Sequence, residues 1–274
     1  MSRNTWQKIR FYLISCLIAV IVMIPFFWMV STSFKSKGAL MALPIQWIPE
    51  KPTLAAYEKV FSKFPFLRAI ANSMFITVSY TVITVFSASM AAFAFTKIRF
   101  PGAGAVLKLY LASMMIPTQV TLIPLFVIMN NLKLINTYPS VILPAMFRAF
   151  GIFMLVQQMR SIPDDFVEAA RIDGASMLRI FRTVILPLCA SSIATLTITT
   201  FMESWNDYLW PLLMLTDKSK MTLTLALNSL NGQYGTEYNV LMAGSLISMI
   251  PIVIVYICAQ KNFKQGIMAG GVKS

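Results

Sequence analysis

From Phe11 to Phe34 the chain carries no charged residue. A helix needs about 20 mostly apolar residues to cross the hydrocarbon core of a bilayer, because every backbone group left unpaired in lipid costs several kcal/mol. A run of this length is therefore read as a membrane span. Arg3, Lys8 and Arg10 ahead of it give it a superficial likeness to a secretory signal, but the run is too long and has no small-residue cleavage site. We expect it to be retained as the first of several spans.

Five further segments meet the same test, which predicts spans at about 11–33, 69–95, 109–130, 138–159, 184–203 and 238–260, the fourth carrying Arg148 at its centre. Composition agrees: hydrophobic residues make up 57% of the 274 and charged residues only 12%, against about 25% charged in soluble domains. The expected fold is an all-α integral membrane protein with six transmembrane helices. Residues 1–10 would form an amino-terminal tail, 11–260 a single membrane domain and 261–274 a carboxy-terminal tail. The net charge of +13 points to topology, not to nucleic-acid binding, because the basic residues fall between apolar runs, and the partner of the runs themselves is membrane lipid. Placing both termini in the cytoplasm puts Arg3, Lys8, Arg10, Lys97, Arg99, Lys108 and the basic residues from Arg160 to Arg182 on the inner side. The opposite side then receives Lys35, Lys37, Lys51, Lys59, Lys63 and Arg68 in a long segment, 35–68, which also holds a helical pattern near Leu54–Phe61. A second external segment, 217–237, is polar and contains Gly232 and Gly235. Both segments are long enough to meet a partner outside the membrane.

The chain has no histidine, the commonest metal ligand and general base, and its Cys16, Cys189 and Cys258 each lie inside an apolar run without paired spacing. We therefore expect no metal site and no catalytic residue. No G-x-x-x-x-G-K-[ST] loop is present, so any nucleotide chemistry would sit on another polypeptide.

The most informative stretch is the loop of about 161–183 between the fourth and fifth spans. Pro163 suits the first turn of a helix, Asp164 and Asp165 complement the positive end of its dipole, and Gly174 suits a left-handed terminus. Phe166, Val167, Ala170 and Ile172 supply apolar surface, and Glu168 and Arg171 stand at i,i+3. The expected product is a short surface helix whose small Ala169 and Ala170 admit close approach of another protein. An ordinary interfacial linker helix would give the same signals.

Glu168-Ala-Ala, then Asp173-Gly174-Ala175 and Ile185-Leu186-Pro187, resembles the signature loop of permeases from binding-protein-dependent ABC importers. Trp47-Ile-Pro49 and Ser204-Trp-Asn-Asp-Tyr-Leu-Trp-Pro-Leu212 resemble segments of the carbohydrate branch, and Ala269-Gly-Gly-Val-Lys273 is similar to the tail of its maltose-type G permeases. The resemblance implies a type I importer permease (MetI-like) fold. It also implies an extracytoplasmic solute-binding protein, a second homologous permease and two ATPase subunits that carry the ATP and magnesium, with no cofactor on this chain. By position, Glu168, Ala169, Ala170, Asp173 and Gly174 would couple to the ATPase, and Gly270, Gly271, Val272 and Lys273 would contact it through the tail. The implied function is that of a permease subunit for an oligosaccharide or polyol in a bacterial-type plasma membrane. The alternatives are a permease for a non-sugar solute and an ion-gradient-driven transporter or channel, which ordinarily places ionisable groups within the membrane.

Three further residues are candidates for the pathway. Arg148 would cost roughly 2.5–3.5 kcal/mol at the centre of an isolated span, so it should line a pathway or tie down a neighbouring helix. Glu203 and Asp207 would share one helix face at i,i+4 and stand either at a cavity mouth or at the interface. Pro117, Pro124, Pro144, Pro187 and Pro251 should shape the spans.

Overall fold

A computed structural model describes residues 3–63, 65–230 and 237–271. Every regular element among these residues is helical. In chain order, α1 (Arg3–Ser33) is followed by the short α2 (Ala55–Lys63) and the long α3 (Phe66–Lys97). Next come α4 (Ala103–Ala112) and α5 (Thr118–Asn131), then α6 (Tyr138–Ile142) and α7 (Ala149–Arg160). The short α8 (Asp165–Ile172) leads to α9 (Met177–Ile180), α10 (Leu186–Leu188) and α11 (Ala190–Asn206). Two short helices, α12 (Leu209–Met214) and α13 (Leu223–Ser229), precede the final α14 (Tyr238–Gly271).

Four stretches are long and apolar enough to cross a membrane unaided: Trp6–Ser33, Phe66–Lys97, Tyr138–Arg160 and Tyr238–Cys258. The other two expected spans are bent pairs. Ala103–Met115 meets Thr118–Asn131 at 107°, and Met177–Leu188 meets Ala190–Asn206 at 79°, which gives six spans when each pair is counted once. The third span, expected at about 109–130, starts earlier, at Ala103, and bends at Pro117. Pro117 disfavours helical backbone at the residue before it, and Ile116 accordingly lies at φ −84°, ψ 119°. The fifth starts earlier than 184, at Met177, and widens into a π-helical turn over Phe181–Ile185. That turn immediately precedes Pro187, whose ring would clash with the carbonyl four residues back in a regular helix. Within the fourth span, Leu143–Phe147 tightens to a 3-10 turn containing Pro144, and Arg148 is extended at ψ 104° before α7 begins.

The chain divides into two compact units, 1–67 with 226–250 and 68–225 with 251–274. In the first, α1 exposes apolar side chains from Phe11 to Val30, as a helix does that meets lipid or another chain. Past its end the lysines of the predicted external segment are held locally. Lys35 is buried, sits 4.0 Å from the Trp28 ring and donates to the Gln46 carbonyl, while Asn239 donates to the Lys35 carbonyl at 3.0 Å. Glu237 pairs with Lys59 at 2.6 Å and with Lys37 at 3.7 Å. α2 occupies the predicted helical stretch and buries Ala56 and Val60 one turn apart.

The second unit has two cores. In one, Ala88, Ala92 and Phe93 of α3 pack with Leu155, Val156 and Met159 of α7 and with Ile180, Phe181, Ile185 and Leu196. Gly151 permits this approach: a Cβ there would stand 3.2 Å from that of Ala88 and 3.3 Å from Leu196 Cδ1. Small residues serve this purpose where helices meet in lipid, since packing there replaces the hydrophobic effect as the driving force. The other core joins Ile76, Met129, Val141, Ile142, Trp210 and Met214. Segment 217–237 is less uniformly polar than its composition implies, because α13 lies within it and Leu223, Leu225 and Ala226 are buried. Gly232 and Gly235 lie outside the described residues.

Candidate functional site

Two features of the second unit place the predicted residues. The first is α8, which stops before Gly174 as its sequence indicates but starts at Asp165, so that Pro163 precedes its first turn instead of lying in it. Asp164 is the residue before the first turn, and its carbonyl accepts from Val167 and Glu168 at 2.8 and 3.0 Å. Its carboxylate makes no capping bond. It accepts instead from Lys97 Nζ at 2.6 Å, and the same ammonium donates to the Ile162 carbonyl at 2.7 Å. The Lys97 side chain is 3% exposed and that of Asp164 67%, so a buried cation at the end of α3 reaches out to hold the start of α8. The hydrogen bond from Lys97, and then its charge, hold the Asp164 carboxyl below its ordinary value.

The helix ends in paired reverse bonds. Gly174 N–H donates to the Arg171 carbonyl and Ala175 N–H to the Ala170 carbonyl, each at 2.9 Å, with Gly174 at φ 76°. This is the Schellman arrangement, in which a left-handed glycine satisfies the last carbonyls of a helix. The Ser176 side chain then accepts from Arg179 N–H and opens α9.

Val167 anchors α8 in the first core, and Ala170 packs beside it, half-buried. Ala169 is exposed, whereas Ala170, one turn on from Val167, shares its face and is half-buried against the core. The outward surface consists of Phe166, Glu168, Ala169, Ile172 and Asp173, and Ile172 is 86% exposed. Phe166 is also exposed, so the outward side of the helix carries two bare apolar side chains.

The second feature is a cavity of about 420 Å³ with Arg148, Glu203 and Asp207 on its wall. Arg148 donates through Nη1 to the Tyr80 hydroxyl at 3.0 Å and through Nη2 to Glu203 Oε1. The pair joins the break in the fourth span to the last turn of α11. Arg148 is 32% and Glu203 53% exposed, so both charges keep access to the cavity. Arg148 thus both lines a cavity and ties down neighbouring helices, the two roles allowed by the sequence. Glu203 lies in the last turn of α11. It does not share a helix face with Asp207: α11 stops at Asn206 and Asp207 is extended at φ −66°, ψ 126°. The two carboxylates still reach one cavity because the chain turns there, and Asp207 accepts from Trp210 N–H at the start of α12 at 3.4 Å.

Sequence reasoning missed Lys97, Tyr80 and Gln119 as site residues. Lys97 was counted only as a basic flank, and a tyrosine in the middle of an apolar run such as that around Tyr80 was the available cue. Of the tail residues, Gly270 and Gly271 close α14, and Val272 and Lys273 lie outside the described residues. Among the described residues no group of histidine, cysteine or carboxylate side chains has the arrangement of a metal site.

Residues 83–268 match the family described as binding-protein-dependent transport system inner membrane component. The arabinooligosaccharides transport system permease protein AraQ of Halalkalibacterium halodurans is 35% identical over 93% of each chain. The sn-glycerol-3-phosphate transport system permease protein UgpE of Shigella flexneri is 30% identical over 98% of each. Among solved structures, a bacterial ABC transporter involved in the import of the acidic polysaccharide alginate superposes with a TM-score of 0.85 at 26% identity, covering 96% of this chain and 99% of that one. The chain therefore belongs to the inner-membrane components of binding-protein-dependent transport systems, the multi-pass permease subunits of ABC importers, and is not itself an enzyme.

Proposed function

We propose that this permease forms half of the translocation pathway of an oligosaccharide or polyol importer, and that α8 is where a separate ATPase docks and transmits force. The observation that carries the coupling role is the geometry of α8. It is anchored by Val167 and by the Lys97 link, closed by Gly174, and left with Phe166 and Ile172 bare. A rigid short helix tied to two spans moves them when it is pushed.

Glu168, Ala169, Asp173 and Gly174 form or terminate the docking surface, and Ala170 fixes the helix from beneath. The carbohydrate assignment is supported by relatives named for arabinooligosaccharides and alginate. The remaining partners are a second homologous permease, two ATPase subunits holding ATP and magnesium, and a solute-binding protein on the outer face that meets segments 35–68 and 217–237. Both termini lie in the cytoplasm. The basic residues Arg3, Lys8, Arg10, Lys97, Arg99 and Lys108 favour that orientation, since Lys and Arg are in excess on the cytoplasmic side of membrane proteins. The tail at Gly270–Lys273 reaches the ATPase.

Uptake by the complete transporter in vesicles is the test. Uptake should require ATP and the solute-binding protein and survive collapse of ion gradients. Uptake that persists without ATP and disappears with the gradient would overturn the assignment.

A further inference from the structure

Relatives of this chain are named for a neutral sugar chain, a glycerol phosphate and an acidic polysaccharide. Family membership therefore leaves the charge of the solute open. We infer that the Arg148–Glu203–Asp207 cavity makes this subunit selective for a neutral polyhydroxylated solute over an anionic one. The inference deepens the importer reading above and rests on it.

The cavity lies within the roughly 300–1,000 Å³ of small-ligand sites. Its wall carries hydroxyl and amide groups from Tyr80, Gln119 and Ser204, suited to exchanging hydrogen bonds with sugar hydroxyls. The charged side chains on the wall are one guanidinium and two carboxylates, a net charge of −1. Arg148 gives one N–H to Tyr80 and one to Glu203, and the Glu203 carboxylate balances its charge, so an anion arriving here meets the uncompensated charge of Asp207. Coulombic repulsion at such separations, in a site partly screened from water, disfavours a like charge by about tenfold or more. A neutral polyol meets no such opposition, and the spare carboxylate oxygens accept its hydroxyl protons.

The test uses the complete transporter in nanodiscs without its solute-binding protein, so that the latter's own preference does not enter. Two matched probes are compared by equilibrium binding: arabinotriose, and the singly charged aldonate made by oxidising its reducing end. The wild type should favour the neutral probe by about tenfold or more. Asp207→Asn leaves the ion pair intact and brings the net charge to zero, so it should narrow the ratio. Glu203→Gln with Asp207→Asn makes the net charge +1, frees Arg148 and should invert the preference. Equal binding of both probes by the wild type, or a ratio unmoved in the double variant, would show that the carboxylates only hold the helices together and would overturn the inference. If ATP-dependent uptake of arabinotriose persists in that case, only the charge selection falls. If the wild type neither binds nor imports either probe, the carbohydrate reading falls with it.

Discussion

The surface helix α8 and the polar cavity are both built in the second unit, yet they are specified in opposite ways. α8 is written mostly locally: aspartate and glycine set its start and end, Val167 and Ala170 turn one face to the core, and only the Lys97 link comes from a distant helix. The cavity is written globally. Tyr80, Arg148 and Glu203 lie far apart in sequence and meet only because the fourth and fifth spans break where they do. Motion at α8 should therefore depend on backbone conformation, and the cavity on charge pairing across helices.

The largest effect should follow from Gly174→Val. Nothing lies within 4 Å of a Cβ at Gly174, so the substitution acts purely through φ 76°. A left-handed β-branched residue costs about 1–2 kcal/mol. Membrane insertion should remain intact while binding-protein-stimulated ATP hydrolysis falls about tenfold, the factor that 1.4 kcal/mol represents. Unchanged stimulation would show that the turn does not set the docking geometry.

Arg148→Gln should act on the cavity and leave α8 alone. It removes the partner of Glu203 and of the Tyr80 hydroxyl, a loss of about 1–3 kcal/mol, toward the lower end because Glu203 keeps contact with water. A lower thermal midpoint of the purified transporter, with protease resistance around α8 unchanged, is the expected result. Loosening of α8 in the same variant would mean that the two regions are not independent.

The smallest effect concerns Asp164. Its carboxyl titrates below its ordinary value because Lys97 holds it, so the link contributes fully above the unfolded-state pKa and is lost as pH falls through the lower folded value. The contribution is about 0.2–1 kcal/mol, since Asp164 is largely exposed. Proteolysis at α8 should thus be flat from neutral pH down to the ordinary aspartate range and rise only below it. Asp164→Asn should show the acid-side susceptibility at neutral pH.

These differences also explain what could be read in advance. The number of spans and the bounds of α8 follow from run length, dipole and turn chemistry, which act over a few residues. The pairing of Arg148 with Glu203 was not legible, because it requires knowing that Pro144 lies in a tightened 3-10 turn just before Arg148 and that α11 ends at Asn206. The i,i+4 placement of Glu203 and Asp207 failed for that second reason. The half-burial of Ala170 follows from its place one turn on from Val167, but which face of α8 meets the core depends on helices distant in sequence. The bend of the third span falls at Pro117, one of the prolines expected to shape the spans, but its angle of 107° could not be read from the apolar run.

The central claim is that α8 is a cytoplasmic surface covered by an ATPase. Ile172→Cys in a background lacking Cys16, Cys189 and Cys258 tests it directly. The new thiol should resist a membrane-impermeant maleimide added outside intact cells, react with it in inverted membranes stripped of ATPase, and cross-link to the ATPase in the assembled transporter. Labelling from outside, or an assembled transporter in which this position touches no nucleotide-hydrolysing subunit, would contradict the account.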